Sequence, residues 1–138
     1  LKAGTWTKAF KTELMNWYVT DDPSWSLHAA AACDTDGTIH VVWSDLDVAT
    51  RHIFQSSWKE GKWAAPQKVT QAGDQPDEAT LASGPHGELH LAWYDHGGVW
   101  YSFFNGREWS RGIAIDTDSS EPFIVSDYSG GIHLAWSK

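Results

Sequence analysis

The side chains in this chain best suited to chemistry are carboxylates, hydroxyls and aromatic rings that recur at matching places. Counting back from the turn glycines Gly37, Gly87 and Gly130 puts His28, Glu78 and Glu121 in register, with Asp77 and Ser120 beside the last two. Downstream of the first two glycines, Ser44-Asp45 and Tyr94-Asp95 end a second pair of matching segments, followed by Arg51, His96 and Trp100. Carboxylates accept the hydroxyls of a polyhydroxylated ligand, and a Trp or Tyr face covers the apolar side of a sugar ring. The candidate binding set is therefore His28, Glu78, Glu121, Asp45, Tyr94, Asp95, Arg51 and Trp100, with Trp25 as a further aromatic platform.

Covalent chemistry is less well supported. Glu78 and Asp95 have the side chains for general acid and base work, and Tyr94 with Glu78 would form the best nucleophile and base pair. Nothing in their spacing singles them out, so no catalytic residue is assigned. His40, His90 and His133 fall on three separate repeats, too far apart to share one centre with bonds of ~2 Å. No metal and no cofactor is implied. The lone Cys33 sits among apolar neighbours and reads as a small buried side chain rather than a nucleophile.

The elements that position these residues announce themselves by repetition. The phrase GTIHVVWSD at Gly37 returns as GELHLAWYD at Gly87 and as GGIHLAWSK at Gly130, so that its His residues stand 50 and 43 places apart. A period of this size marks a repeat architecture. Each phrase follows a tight-turn sequence, Asp34-Thr35-Asp36, Gly84-Pro85-His86 or Asp127-Tyr128-Ser129. Before each turn a small or apolar run, 29–33, 79–83 or 123–126, reads as a first strand, and the phrase is the second. Third strands are expected at 52–57 and 99–104, and fourth strands at 63–70 and 109–115, each opening at a Trp. Pro66 marks the former as an edge strand.

Four antiparallel strands per repeat and no helical pattern predict an all-β β-propeller of four-stranded blades. The expected division is an outer strand and linker at 1–20, with Gly4–Thr12 matching Gly61–Val69, then blades at 21–70 and 71–116 and a partial blade at 117–138. The sequence thus holds two complete blades and parts of a third. A longer polypeptide or self-association would complete the ring, a dimer giving about six blades. Strand alternation places Ile39, Val41 and Trp43 on one face and His40, Val42 and Ser44 on the other. Trp43, Trp93 and Trp136 are expected to fill the space between blades, and the phrase His residues to bond to a neighbouring blade.

Composition narrows the partners. Ten Trp in 138 residues suit a Trp-rich β protein, and the net charge of −8 leaves no basic stripe to neutralise phosphates or an anionic membrane surface. Neither nucleic acid nor a membrane is an expected partner; a glycan is.

The segments IHVVWSD with RHIFQSSWKEGKWAAPQKVT, and LHLAWYD with GVWYSFFNGREWSRGIAID, resemble the bacterial-neuraminidase (Asp-box) repeats of sialidase-like propellers. Of that family's Ser-x-Asp-x-Gly-x-x-Trp turn, Gly61 and Trp63, and Gly106 and Trp109, survive while the Asp does not, so the boxes are degenerate. The resemblance implies the propeller fold and a secreted or cell-surface setting. It also brings two enzymatic alternatives, a fragment of a sialidase-like glycoside hydrolase or of a polysaccharide lyase. Sialidases hold their substrate's carboxylate with an arginine cluster, whereas Arg107 and Arg111 belong to an outer turn and an outer strand here. The reading favoured by the residues is a lectin-like carbohydrate-binding module, and a structural domain for assembly with other proteins is the third.

Overall fold

A computed structural model describes residues 27–47, 50–71 and 75–138 of the chain. Trp25 and the segment Gly4–Thr12 lie outside the described residues. Those described form three antiparallel sheets and no helix. The first joins β1 (Leu27–Cys33), β2 (Ile39–Asp47) and β3 (Thr50–Lys59), with two short pieces, β4 (Lys62–Trp63) and β5 (Gln67–Lys68), on the outer side of β3. The second runs in order through β6 (Asp77–Ser83), β7 (Leu89–Asp95), β8 (Gly98–Phe104) and β9 (Ile113–Thr117). The third pairs β10 (Ser120–Ser126) with β11 (Ile132–Ser137).

Local chemistry explains the connections. Glu60-Gly61 and His96-Gly97 are two-residue hairpin loops with φ of 50° and 80°, and 49° and 80°. Two consecutive positive φ values twist the chain in the sense the flanking strands need. In the turn after β8, Asn105 Oδ1 accepts the amides of Arg107 (2.9 Å) and Glu108 (3.0 Å), supplying the side-chain acceptor that an Asp would give.

The fourth strands are not continuous from their Trp residues. In the first sheet the ladder breaks at Ala64–Pro66, and in the second Trp109 makes one isolated bridge to Phe104 before β9 starts at Ile113. Pro66 has no ladder donor. At the matching Gly112 a Cβ would lie 2.8 Å from Trp93 Cη2, so the chain passes directly over that indole. Between the pieces the hydrogen bonds repeat: Ser56 Oγ donates to Ala64 O (2.7 Å) and Ser102 Oγ to Ser110 O (2.8 Å).

The sheets stack face to face. Val42 and Ile53 of the first pack against Ala79, Leu81, Leu89, Leu91 and Trp93 of the second. Ala82 and Ala92 on the opposite face of the second pack against Ile124, Ile132 and Leu134 of the third. Strand alternation assigns the faces: Leu89, Leu91 and Trp93 look back to the preceding sheet, His90 and Ala92 forward to the next.

Of the repeated Trp residues, Trp93 fills the space between sheets as expected. Trp43 is buried on the opposite face of the first sheet, stacked on Phe54 at 6.0 Å, whereas Trp136 is 40% exposed and donates to Asp116 Oδ2 (2.8 Å). Cys33 is exposed, contrary to the expectation of burial, because no described strand covers its face of β1.

The phrase His residues bond within their own sheets, not to a neighbouring one. His40 Nε2 donates to Asp34 Oδ2 (2.9 Å), while Asp34 Oδ1 accepts the amides of Asp36 (3.1 Å) and Thr38 (2.9 Å). His133 and Asp127 repeat this at 2.8 Å, with Asp127 Oδ1 accepting the amides of Ser129 and Gly131. One carboxylate thereby satisfies the turn amides and fixes the His ring of the next strand. The second sheet solves the problem differently. Gly84 stands where the Asp would be, and Glu88 folds into the vacated space, so a Cβ on Gly84 would lie 2.3 Å from Glu88 Oε1. Glu88 Oε2 accepts the His86 amide (2.7 Å), and His90 turns to the Tyr101 hydroxyl, 2.8 Å from Nδ1. Desolvation lowers the pKa of His90 and raises that of Tyr101.

Candidate functional site

Each inner strand begins with the same irregularity. In the second sheet Asp77 pairs with Tyr94 and Thr80 with Ala92, so Glu78 and Ala79 together oppose Trp93. His28 and Ala29 oppose Trp43 in the first sheet, and Glu121 and Pro122 oppose Trp136 in the third. These are β-bulges, with two residues facing one, which bend the strand and re-aim a side chain. The first bulge residue lies in the left-handed region each time: φ is 58° at His28, 50° at Glu78 and 52° at Glu121. That conformation is disfavoured for residues other than glycine, and its retention three times at one rim is the backbone feature to explain by function.

The bulges bring the three predicted residues to one place. His28, Glu78 and Glu121 line an open groove of roughly 480 Å³ that crosses all three sheets, floored by Ala29, Ala79 and Pro122 and flanked by Thr80 and Phe123. Hydrogen bonds stitch it across each seam. Asp77 of the second sheet takes His28 Nδ1 on Oδ1 (2.7 Å) and Arg51 Nη1 on Oδ2 (2.6 Å), both from the first sheet. Glu78 Oε2 accepts the Glu121 amide from the third (2.9 Å), and Glu121 Oε2 accepts Ser137 Oγ (2.9 Å). Burial would raise the Asp77 carboxyl, but the bond from His28, the Glu78 amide and the charge of Arg51 together hold it below the ordinary carboxylate value.

Glu78 and Glu121 each spend one oxygen on the protein. Among the described residues Oε1 of each has no donor, so each of these two groove-lining carboxylates keeps an acceptor oxygen unmatched. Arg51 and His28 are taken up by Asp77 and do not form an anion-binding cluster.

The remaining predicted residues lie elsewhere. Asp45 is buried at the exit of β2, opposite His52. Tyr94 is half-buried beside Asp77 in the ladder and does not line the groove. Asp95 and Trp100 border a separate cavity farther out on the second sheet. Asp95 is 3% exposed, with Oδ1 accepting the Gln75 amide (3.1 Å) and contacting His96, and its backbone oxygen accepting Trp100 Nε1 (3.2 Å). Sequence reasoning missed Asp77 as the hub of the rim; its place beside Glu78 was visible, but pairing across a seam leaves no local trace. Among the described residues no group of three His, Cys, Asp or Glu side chains converges as a metal site.

No protein-family model matches the chain, and no curated relative does. Among solved structures it is similar to a Hadza microbial sialidase, with a TM-score of 0.59 and 11% identity over 78% of this chain and 31% of that one. The likeness is one of fold, and this chain matches about a third of the length of that protein.

Proposed function

We propose that the chain is part of a β-propeller whose rim groove binds a neutral or cationic glycan without altering it. The observation that carries this reading is the convergence of His28, Glu78 and Glu121, each in a strained bulge on a successive sheet, upon one groove. Carboxylate oxygens lacking protein donors match sugar hydroxyls or an amino-sugar's ammonium. An acidic sugar is disfavoured, because Arg51 is bound to Asp77 and the other two arginines lie away from the groove. A sialidase-like hydrolysis or a lyase reaction would need groups beyond these, since Tyr94 does not line the groove. A glycan array tests the reading: retention of neutral or amino-sugar oligosaccharides that disappears in the Glu78→Gln/Glu121→Gln double variant supports it, and retention of sialylated glycans alone contradicts it.

A second reading, assembly, rests on the outward face of the third sheet. Phe123 and Val125, 61% and 45% exposed, hold the places that Thr80 and Ala82 hold in the second sheet, where they face the next sheet. A further sheet of the same repeat, from a second copy or from the remainder of a longer chain, fits that face. Solution mass by light scattering separates the two sources.

A further inference from the structure

The outer cavity that borders Asp95 and Trp100 combines residues common to both sheets, Trp93, Asp95 and Ser102, with residues at which the second sheet departs from the first. The matched bonds of Ser56 to Ala64 and Ser102 to Ser110 set the alignment between the sheets. In that register Arg111 and Gly112 replace Ala65 and Pro66, and Trp100 replaces Phe54 as the partner of the phrase Trp. The result is a cavity of roughly 190 Å³ between the edge of the first sheet at Val69 and Thr70 and the outer strands of the second. A cavity of about 150 Å³ takes one benzene ring, so this one is on the scale of a single sugar ring rather than an oligosaccharide.

Its walls combine three kinds of group. Trp93 and Trp100 are stacked at 6.5 Å and 21°, giving an apolar side. Trp93 is 3% exposed, and its indole Nε1–H has no acceptor among the described residues. That atom is closed off from solvent, as are the equally unmatched Nε1 atoms of Trp63 and Trp109, so Trp93 offers the cavity its ring and not its N–H. Asp95 supplies a carboxylate whose Oδ1 is already held by the Gln75 amide and the His96 ring. Arg111 supplies a guanidinium that no carboxylate pairs with among the described residues.

We infer that this cavity is a second binding site, independent of the rim groove, for a single neutral pyranose unit. A hydroxyl both donates and accepts, so a neutral sugar satisfies Asp95 and Arg111 at once, whereas a simple anion would meet the Asp95 charge and a simple cation the Arg111 charge. Gly112 is required because any Cβ there would strike the Trp93 ring that forms the wall.

The test is NMR titration of the 138-residue chain with the methyl glycosides of glucose, galactose, mannose and N-acetylglucosamine. At least one is expected to shift the Trp93 indole N–H and the Ser110, Arg111 and Gly112 amides. Arg111→Ala is expected to weaken that binding at least about tenfold, in line with a hydrogen bond to a charged group. This variant restores the residue found at the matching place in the first sheet, Ala65, so folding is retained. Glu78→Gln is expected to leave the titration unchanged. The inference is overturned if none of the four glycosides moves these resonances at millimolar concentration, if Arg111→Ala binds as tightly as the parent, or if Glu78→Gln abolishes the shifts.

Discussion

Asp77 joins two sheets at once: its Oδ1 lies 2.7 Å from His28 Nδ1 and its Oδ2 lies 2.6 Å from Arg51 Nη1, both on the sheet before it. Removing that carboxylate leaves a partly buried guanidinium without its counter-charge at the seam. Asp77→Ala is expected to lower unfolding stability by about 1–2 kcal/mol, a modest figure because water reaches both partners. Chemical denaturation of parent and variant measures it, and an unchanged midpoint would show that the seam holds without this contact.

The turn carboxylates carry a larger share of their hairpins. Asp34→Ala deprives the Asp36 and Thr38 amides and the His40 ring of one common acceptor. A loss of about 2–3 kcal/mol is expected from several bonds of about 1 kcal/mol each, and Asp34→Asn is expected to recover only part of it.

The exchange of Asp for Glu between repeats predicts a coupled pair. Gly84→Asp alone drives its side chain into Glu88, and Glu88→Thr alone frees the His86 amide. Each is expected to destabilise by about 1–2 kcal/mol. Together they recreate the Asp34 and Thr38 arrangement and offer His90 a carboxylate, so the double variant is expected to be more stable than the sum of the singles by about 1 kcal/mol or more. Additive effects would show that the two turn designs are not alternatives.

Stability is expected to decline on both sides of neutrality, with the sign fixed by each group. His90 is held below the ordinary imidazole value by desolvation, so the unfolded chain takes a proton first and stability falls as pH drops below about 6.5. Asp127 is lowered by its bonds from His133 and Ser129, and Asp116 by Trp136 and Lys138. With Asp77, their contribution is complete above about pH 4 and is lost as pH falls through their lower folded values. Tyr101 is raised by burial, so its contribution holds below about pH 10 and fades above it. Urea midpoints across pH read this profile, and His90→Gln is expected to flatten the limb near pH 6.5.

Much of this organisation was legible in the chain because a repeat compares the sequence with itself. The hairpin turns, the inner strands and the equivalence of His28, Glu78 and Glu121 all follow from aligning three copies of one phrase. The bulge that gathers those residues was not legible, since neither His nor Glu signals a positive φ. Nor was the role of the phrase His, because pairing of Asp34 with His40 is broken in the middle copy by Gly84. The break in each outer strand was half visible in Pro66 but hidden at Gly112, whose reason is the Trp93 ring beneath it. Tyr94 and Asp95 were grouped with the rim by chain position, and their placement shows that strand ends sharing a rim can serve different cavities.

The central claim, that the groove of His28, Glu78 and Glu121 binds a glycan, is tested most directly by mapping amide shifts during titration with cello-, manno- and chitosan oligosaccharides. The account predicts that at least one of them moves the amides of His28, Glu78, Ala79 and Glu121 together, and that Glu78→Gln/Glu121→Gln abolishes the effect without changing the thermal midpoint by more than a few degrees. Titrations that leave these amides unmoved, or shifts that persist in the double variant, would contradict it.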